Sequence, residues 1–147
     1  MKIVNRKARF DYILEEKIEC GIKLTGAEVK AVRSGAVSLS DSYVKFIGQE
    51  AYLLNAFIGP YQFANNENYD PKRSRKLLLH KKEILALVTK MKQSNLTMIP
   101  TAMYTIRQLV KVEAALAKGK KKWDKREALK ERSIKREQEE EQRGKKN

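Results

Sequence analysis

Apolar residues early in the chain recur at alternate positions: Phe10, Tyr12, Leu14, Ile18, Cys20, Ile22 and Leu24. That is the period of a β-strand with one face against a core. Glu16 interrupts the alternation, and a run of this length predicts a bend or bulge there. The pattern then changes to TGAEVKAVRSG, Thr25–Gly35. Thr25 and Glu28 have the spacing of a capping box, in which each side chain satisfies a backbone N–H of the first turn. Leu24 and Val29 could close a hydrophobic staple over that turn, and Gly35 supplies a left-handed stop. A short helix is predicted.

Ser42–Ile47 and Ala51–Ile58 read as two strands joined through Gly48-Gln49. Residues Gly59–Arg75 hold Pro60, Asn65, Asn66, Asn68 and Pro71 without periodicity, so a long loop is expected. His80–Gln93 carries Ile84, Leu85, Leu87, Val88 and Met91 on one predicted helical face. Leu96–Arg107 and Leu109–Lys118 form a last strand pair, with Pro100 placing an edge or a bend in the first. Many short strands with helices inserted between them predict a mainly β fold, a small barrel of which the OB type is one nucleic-acid-binding form.

Composition narrows the function. Lys and Arg number 32 against 18 Asp and Glu, a net charge of +14 over 147 residues, which predicts a polyanionic partner. Residues 1–118 hold 20 basic and 11 acidic groups, and residues 119–147 hold 12 and 7. The body, 1–118, is therefore expected to fold, and the charged tail, 119–147, to be disordered when free and helical against a partner. The single cysteine, Cys20, excludes an internal disulfide, and with the single histidine, His80, it cannot build a common zinc site. No apolar run approaches the roughly 20 residues that cross a bilayer. The N-terminus MKIVNRKA lacks the apolar stretch of a secretory signal. A cytoplasmic protein without membrane contact, metal or other cofactor is expected.

Catalytic patterns are missing. There is no phosphate-binding Gly-rich loop, no GxSxG, and no second histidine for a Ser/His/Asp set. Cys20 reads as a small buried hydrophobe. His80 in RKLLLHKKE suits a helix end or an RNA-facing position, and Glu15 and Glu16 fall on opposite faces of a strand. Basic clusters are more informative. Arg6, Lys7 and Arg9 precede the first long strand, Lys72, Arg73, Arg75 and Lys76 close the long loop, and Lys118, Lys120, Lys121 and Lys122 open the tail. Tyr12, Tyr43, Tyr61 and Tyr69 offer stacking surfaces near them. Clusters separated by strands suit a folded surface that tracks a shaped phosphate backbone.

Several strings carry a more specific resemblance: NRKARFDY (Asn5–Tyr12), GIKLTGAEVKAVRSG (Gly21–Gly35), LSDSYVKF (Leu39–Phe46), DPKRSRKLLLHKKE (Asp70–Glu83) and ALAKGKKKWDKRE (Ala115–Glu127). In these the chain resembles the small protein B family, the SsrA-binding proteins of bacterial trans-translation, from Asn5 to about Ser133. The resemblance implies an OB-like closed β-barrel with flanking helices and no enzymatic activity. It implies binding to the tRNA-like domain of transfer-messenger RNA, at its elbow, and delivery to stalled ribosomes for tagging of the nascent chain. There the protein would act as a monomer, contacting the 16S rRNA decoding centre, the mRNA channel and 23S rRNA.

By motif position the resemblance assigns Asn5, Glu19, Leu78 and Lys111 to the RNA, with Arg6, Lys7 and Arg9 as electrostatic support. In the tail it assigns Lys118, Gly119 as a hinge, Lys120, Lys121, Trp123, Asp124, Lys125 and Arg126 to the ribosome. Trp123 stands where the family usually has His or Tyr, and Phe10 where a His commonly follows KAR. Composition alone equally allows a ribosomal or rRNA-maturation protein. Removing residues 119–147 is expected to leave most RNA affinity while abolishing ribosome rescue. Equal rescue by the truncated chain in a reconstituted assay would make the tail a solvated extension.

Overall fold

The long alternation divides at Tyr12. A computed structural model describes residues 1–120 and, beyond them, Arg136 alone. In it Arg6–Asp11 form a helix, α1, and Phe10 lies in that helix and not in a strand. The cause is Asn5, whose side-chain oxygen accepts from the Ala8 backbone N–H at 3.1 Å and so opens a helical turn. Ahead of it runs a short strand that the apolar pattern did not reveal, β1 (Lys2–Val4). β2 follows (Tyr12–Ile22), with a shift of register against its neighbour between Leu14 and Lys17, where Glu16 interrupts the alternation.

Thr25 caps α2 (Gly26–Arg33) with the predicted box, and Gly35 takes the left-handed conformation at φ +84. Next come β3 (Val37–Ser38), β4 (Tyr43–Ile47), β5 (Glu50–Leu54) and β6 (Phe57–Ile58). The β4–β5 hairpin turns at Gly48, φ +61, the first central position of a two-residue turn, where glycine is favoured. The expected strand Ala51–Ile58 is two strands, because Asn55 adopts φ 65 between them. β7 (Arg75–Leu78) was hidden in the run RKLLL. α3 (Lys81–Ser94), β8 (Thr97–Ile106) and β9 (Leu109–Gly119) complete the order.

The protein is mainly antiparallel β with three helices among the described residues. The main sheet runs β1-β8-β4-β5-β7-β2-β9, and β8 also pairs with β9, so the hydrogen bonding closes into a ring. β3 and β6 form a separate pair. Of the edge and the bend expected at Pro100, the bend is found: β8 has neighbours on both sides, and its register against β9 shifts between Pro100 and Ala102. β4 meets β8 at Met98 and β1 meets it from Ala102 onward, leaving a gap. Asn5 fills it, donating to the Pro100 carbonyl at 2.8 Å and the Leu39 carbonyl at 3.1 Å, while its backbone N–H donates to Thr101.

The core combines Leu53, Ile58, Leu77, Met98, Met103, Val112 and Leu116 from the strands with Val32, Ile84 and Leu87 from the helices. Leu85, placed by its periodicity on the same helical face, is 69% exposed instead.

Of the arginines expected in a surface cluster, Arg75 is internal and Arg73 is only partly exposed. The Glu28 carboxylate is 1% exposed and Arg75 is fully buried. Arg75 Nε donates to Glu28 Oε2 at 2.6 Å, and its other nitrogens reach the Ala56 and Pro71 carbonyls at 2.7 and 2.9 Å. Arg73 adds a second ion pair to Glu28, and the Tyr69 hydroxyl donates to the Ile58 carbonyl at 2.8 Å while accepting from Arg75. Burial pushes the Glu28 carboxyl up, but hydrogen bonds from Arg73, the Thr25 backbone and Arg75 outweigh it and hold it at about 2.

Because that folded value lies below the ordinary 4.5, the stabilisation is full above pH 4.5 and is lost as pH falls towards 2. Glu28→Ala, which strands buried Arg75, is expected to cost about 3–5 kcal/mol in urea unfolding at neutral pH. It should also flatten the acid limb of the stability profile. A loss under about 1 kcal/mol would mean the guanidinium is rehydrated on truncation.

Candidate nucleic-acid interface

Strand register assembles one site. In the β2–β9 pairing Gly21 lies opposite Lys111, and in the β2–β7 pairing the same Gly21 lies opposite Leu78. Glu19, two residues earlier, points to the same face of β2. Glu19, Leu78 and Lys111 thus line one surface groove of about 520 Å³, together with Gln49, Lys76, His80 and Lys81. Leu78 is 53% exposed. Its position in the chain by itself favours a core residue beside a helix, and the structure places it at the surface instead. Gly21 forms the floor: a Cβ there would lie 3.0 Å from Leu78 Cβ, so a side chain would force Leu78 to move.

The groove carries selective charge. Lys76 is paired with Glu50 at 3.1 Å, and Glu83 is engaged at 3.2 Å by the backbone N–H of His80, the residue that caps α3. Lys81 and Lys111 have no salt bridge among the described residues. Glu19 accepts a hydrogen bond from the Tyr104 hydroxyl. Burial first, then that bond and the carboxylate's charge, push the Tyr104 phenol up to about 12. Cys20 lies beneath; burial, aided by Glu83 and Glu19, raises its thiol to about 12, so it remains protonated. Tyr104, Gln49 and Gly21 were not marked as site residues by the sequence. Tyr104 joins the site only through its bond to Glu19, Gln49 through the β4–β5 turn and Gly21 through strand register, which no single segment displays.

The other assigned residues gather at the opposite end of β2, roughly 25–30 Å away at about 3.3 Å per residue. Arg6, Lys7 and Arg9 stand exposed on α1. Lys7 is bound to Asp41 at 2.5 Å, and the resulting ion pair holds the ammonium above its ordinary value. Asn5 is buried, with its amide N–H groups and its oxygen all bonded within the protein. Its side chain therefore positions α1 from inside. Lys118 pairs in register with Ile13 and Gly119 with Tyr12. Lys120 closes the junction, its backbone N–H donating to the Asp11 carbonyl and its ammonium to that of Arg9, at 2.9 and 3.0 Å. Lys121, Trp123, Asp124, Lys125 and Arg126 lie outside the described residues.

Of the four tyrosines, Tyr69 is committed to the Glu28 network, Tyr12 packs on Ala8, Ile99 and Ala117, and Tyr61 sits beneath Lys30 with its centroid 5.4 Å away. Tyr43 remains exposed. Among the described residues no set of three or more His, Cys, Asp or Glu is placed to hold a metal ion. No helix is long and apolar enough to cross a membrane.

A family model described as "SmpB protein" matches residues 2–144. The chain belongs to the SmpB family. An SsrA-binding protein of Sulfurihydrogenibium is 52% identical over 141 residues, covering 96% of this chain and 93% of the relative. One of Malacoplasma penetrans is 50% identical over 135 residues, covering 92% of each. A solved structure described as "tmRNA-SmpB: a journey to the center of the bacterial ribosome" superposes with a TM-score of 0.69 at 42% identity, covering 87% of this chain and 94% of that one. Family membership rests on the whole length of the SmpB match, and the groove is this chain's own geometry.

Glu19→Gln keeps an acceptor for Tyr104 but removes the charge. The Tyr104 titration, followed by NMR of carbon-labelled tyrosine, should fall towards the ordinary value of about 10 while staying above it, because burial persists. An unmoved titration would mean the Tyr104–Glu19 contact is not made in solution.

Proposed function

We propose that this chain binds the tRNA-like domain of transfer-messenger RNA through the Glu19–Leu78–Lys111 groove and delivers it to stalled ribosomes for trans-translation. The observation that carries the reading is the convergence of those three residues, far apart in sequence, on one open groove in a member of the SmpB family. The protein acts by recognition and catalyses no step. Its strand ring supports the finer reading of the body as an OB-like closed β-barrel with flanking helices.

Each groove residue has a distinct task. Lys111 offers a cation with no salt bridge among the described residues, suited to a phosphate or a base acceptor. Leu78 packs against a ribose or an unstacked base, replacing water on both. Glu19 is the discriminating element. A carboxylate repels phosphate, yet it accepts from base amino and imino N–H groups. With Tyr104 holding it in place, it lets the strand lie only with a base edge on that side. Selectivity then arises from where the RNA presents an unpaired base beside its backbone, as a folded elbow does and a plain helix does not.

The Lys118–Lys120 junction faces the ribosome in this reading, with Lys121, Trp123, Asp124, Lys125 and Arg126 of the tail assigned to the decoding centre and the mRNA channel. Asn5 serves by holding α1 in place, and Arg6, Lys7 and Arg9 supply the field.

Equilibrium binding of the full-length chain to the tRNA-like fragment and to a size-matched unrelated RNA, across a salt titration, tests the reading. Affinity for both should fall with salt, by a slope of about 0.7–0.9 per phosphate contact, with the tRNA-like fragment retaining an advantage at physiological salt. Glu19→Ala should weaken the specific complex about tenfold although it makes the protein more positive, consistent with about 1–3 kcal/mol for a good base contact. Tighter binding by Glu19→Ala, or equal affinity for the two RNAs, would leave only charge and favour a general rRNA-binding role.

A further inference from the structure

Beside the groove lies an apolar cleft that the assigned residues do not use. Leu85 on α3 is 69% exposed, and Ile47, at the end of β4, is 55% exposed. The turn after Ile47 and the face of α3 that carries Leu85 enclose a space of about 260 Å³. Ile84, Leu85 and Val88 form its apolar wall, Lys81 and Lys82 stand at its rim, and Gln49 lies across from them. Gln49, Lys81 and Ile84 also line the Glu19–Leu78–Lys111 groove. The two depressions are therefore continuous. Their shared boundary is also where α3 begins, since His80 caps the helix and Lys81 is its first residue.

We propose that this cleft receives one unstacked nucleotide of the same RNA that fills the groove, with its base on Leu85, Ile84 and Val88 and its phosphate beside Lys81 and Lys82. The inference rests on the groove being the RNA site. Three features favour a nucleotide over a protein segment. The cleft opens into a groove with a carboxylate, Glu19, and a lysine, Lys111, that has no salt bridge among the described residues. Its apolar wall is narrow, little more than one turn of one helix. Its rim bears two cations, in a chain whose net charge of +14 already selects a polyanion. An aliphatic wall is indifferent to base identity, because every base offers an apolar face, so the cleft adds affinity without adding sequence preference.

The test compares full-length Leu85→Ala, Lys82→Ala and Lys111→Ala for binding to the tRNA-like fragment of transfer-messenger RNA. Leu85 is exposed and alanine favours the helix, so folding should be unchanged, with equal thermal midpoints as the check. Leu85→Ala should weaken binding about five- to tenfold with the salt slope unaltered, since apolar area and no counterion is lost. Leu85→Met should restore binding by supplying similar volume. Lys82→Ala should lower the salt slope by about one. If Lys111→Ala weakens binding while Leu85→Ala and Lys82→Ala match the parent, the cleft is empty in the complex and the inference is overturned. If none of the three variants differs from the parent, the groove reading fails and takes the cleft with it.

Discussion

The buried carboxylate of Glu28 is the constraint on which the half of the molecule that carries the groove depends. It closes the first turn of α2, and it is the acceptor for two guanidinium groups that arrive from the far end of a long loop. Burying the Glu28 and Arg75 charges is costly unless each is matched, and here the remaining Arg75 nitrogens find the Ala56 and Pro71 carbonyls and the Tyr69 hydroxyl. No buried side-chain polar atom among the described residues is left without a partner. The geometry that follows is specific. Arg75 begins β7, so fixing it fixes the register that sets Leu78 opposite Gly21 and starts α3 at His80. Both walls of the groove thus inherit their position from an ion pair that never meets solvent.

A high net charge is usually read as surface charge, and here that reading needs division. Arg75 serves the interior, Arg73 is mostly engaged with it, and Lys76, Lys7 and Lys90 are held by Glu50, Asp41 and Glu16. Among the described cations outside these salt bridges are Lys81 and Lys111 at the groove and Arg6, Arg9 and Lys118 at the opposite pole. The general attraction to a polyanion comes from the sum of the charges and not from any one cluster.

Local chemistry was legible wherever one segment contained the whole cause. The Thr25–Glu28 box, the Gly48 turn, the disturbance at Glu16 and the burial of Cys20 each depend on neighbours in sequence, and each is found. Phe10 went to a helix because a remote requirement, the gap beside Pro100, recruits Asn5 as both plug and cap. β7 escaped notice because RKLLL has no alternation to display: its two faces meet the core and the groove, and both accept leucine. Leu85 follows helical spacing yet faces outward, since periodicity marks an apolar stripe without saying how wide the core is. The residues of the groove were legible only through family resemblance. Their juxtaposition is a matter of strand register, and Tyr104 beside Glu19 shows how a cross-strand neighbour stays invisible in a linear reading.

The closed ring of strands gives the protein the properties of a strut. β2 and β9 run side by side along almost their whole lengths, with Gly21 and Lys111 at one end and Tyr12 and Gly119 at the other. A ladder closed on both edges resists shear, so the separation of its two ends is a property of residue count and not of side-chain choice. Lys120 is tied back to Asp11 and Arg9, which fixes where the last part of the chain departs. Lengthening both strands by one paired step of two residues would push the two ends about 7 Å farther apart with every contact chemistry intact. In that sense the molecule measures: it holds whatever occupies its groove at a set distance from whatever meets its opposite pole.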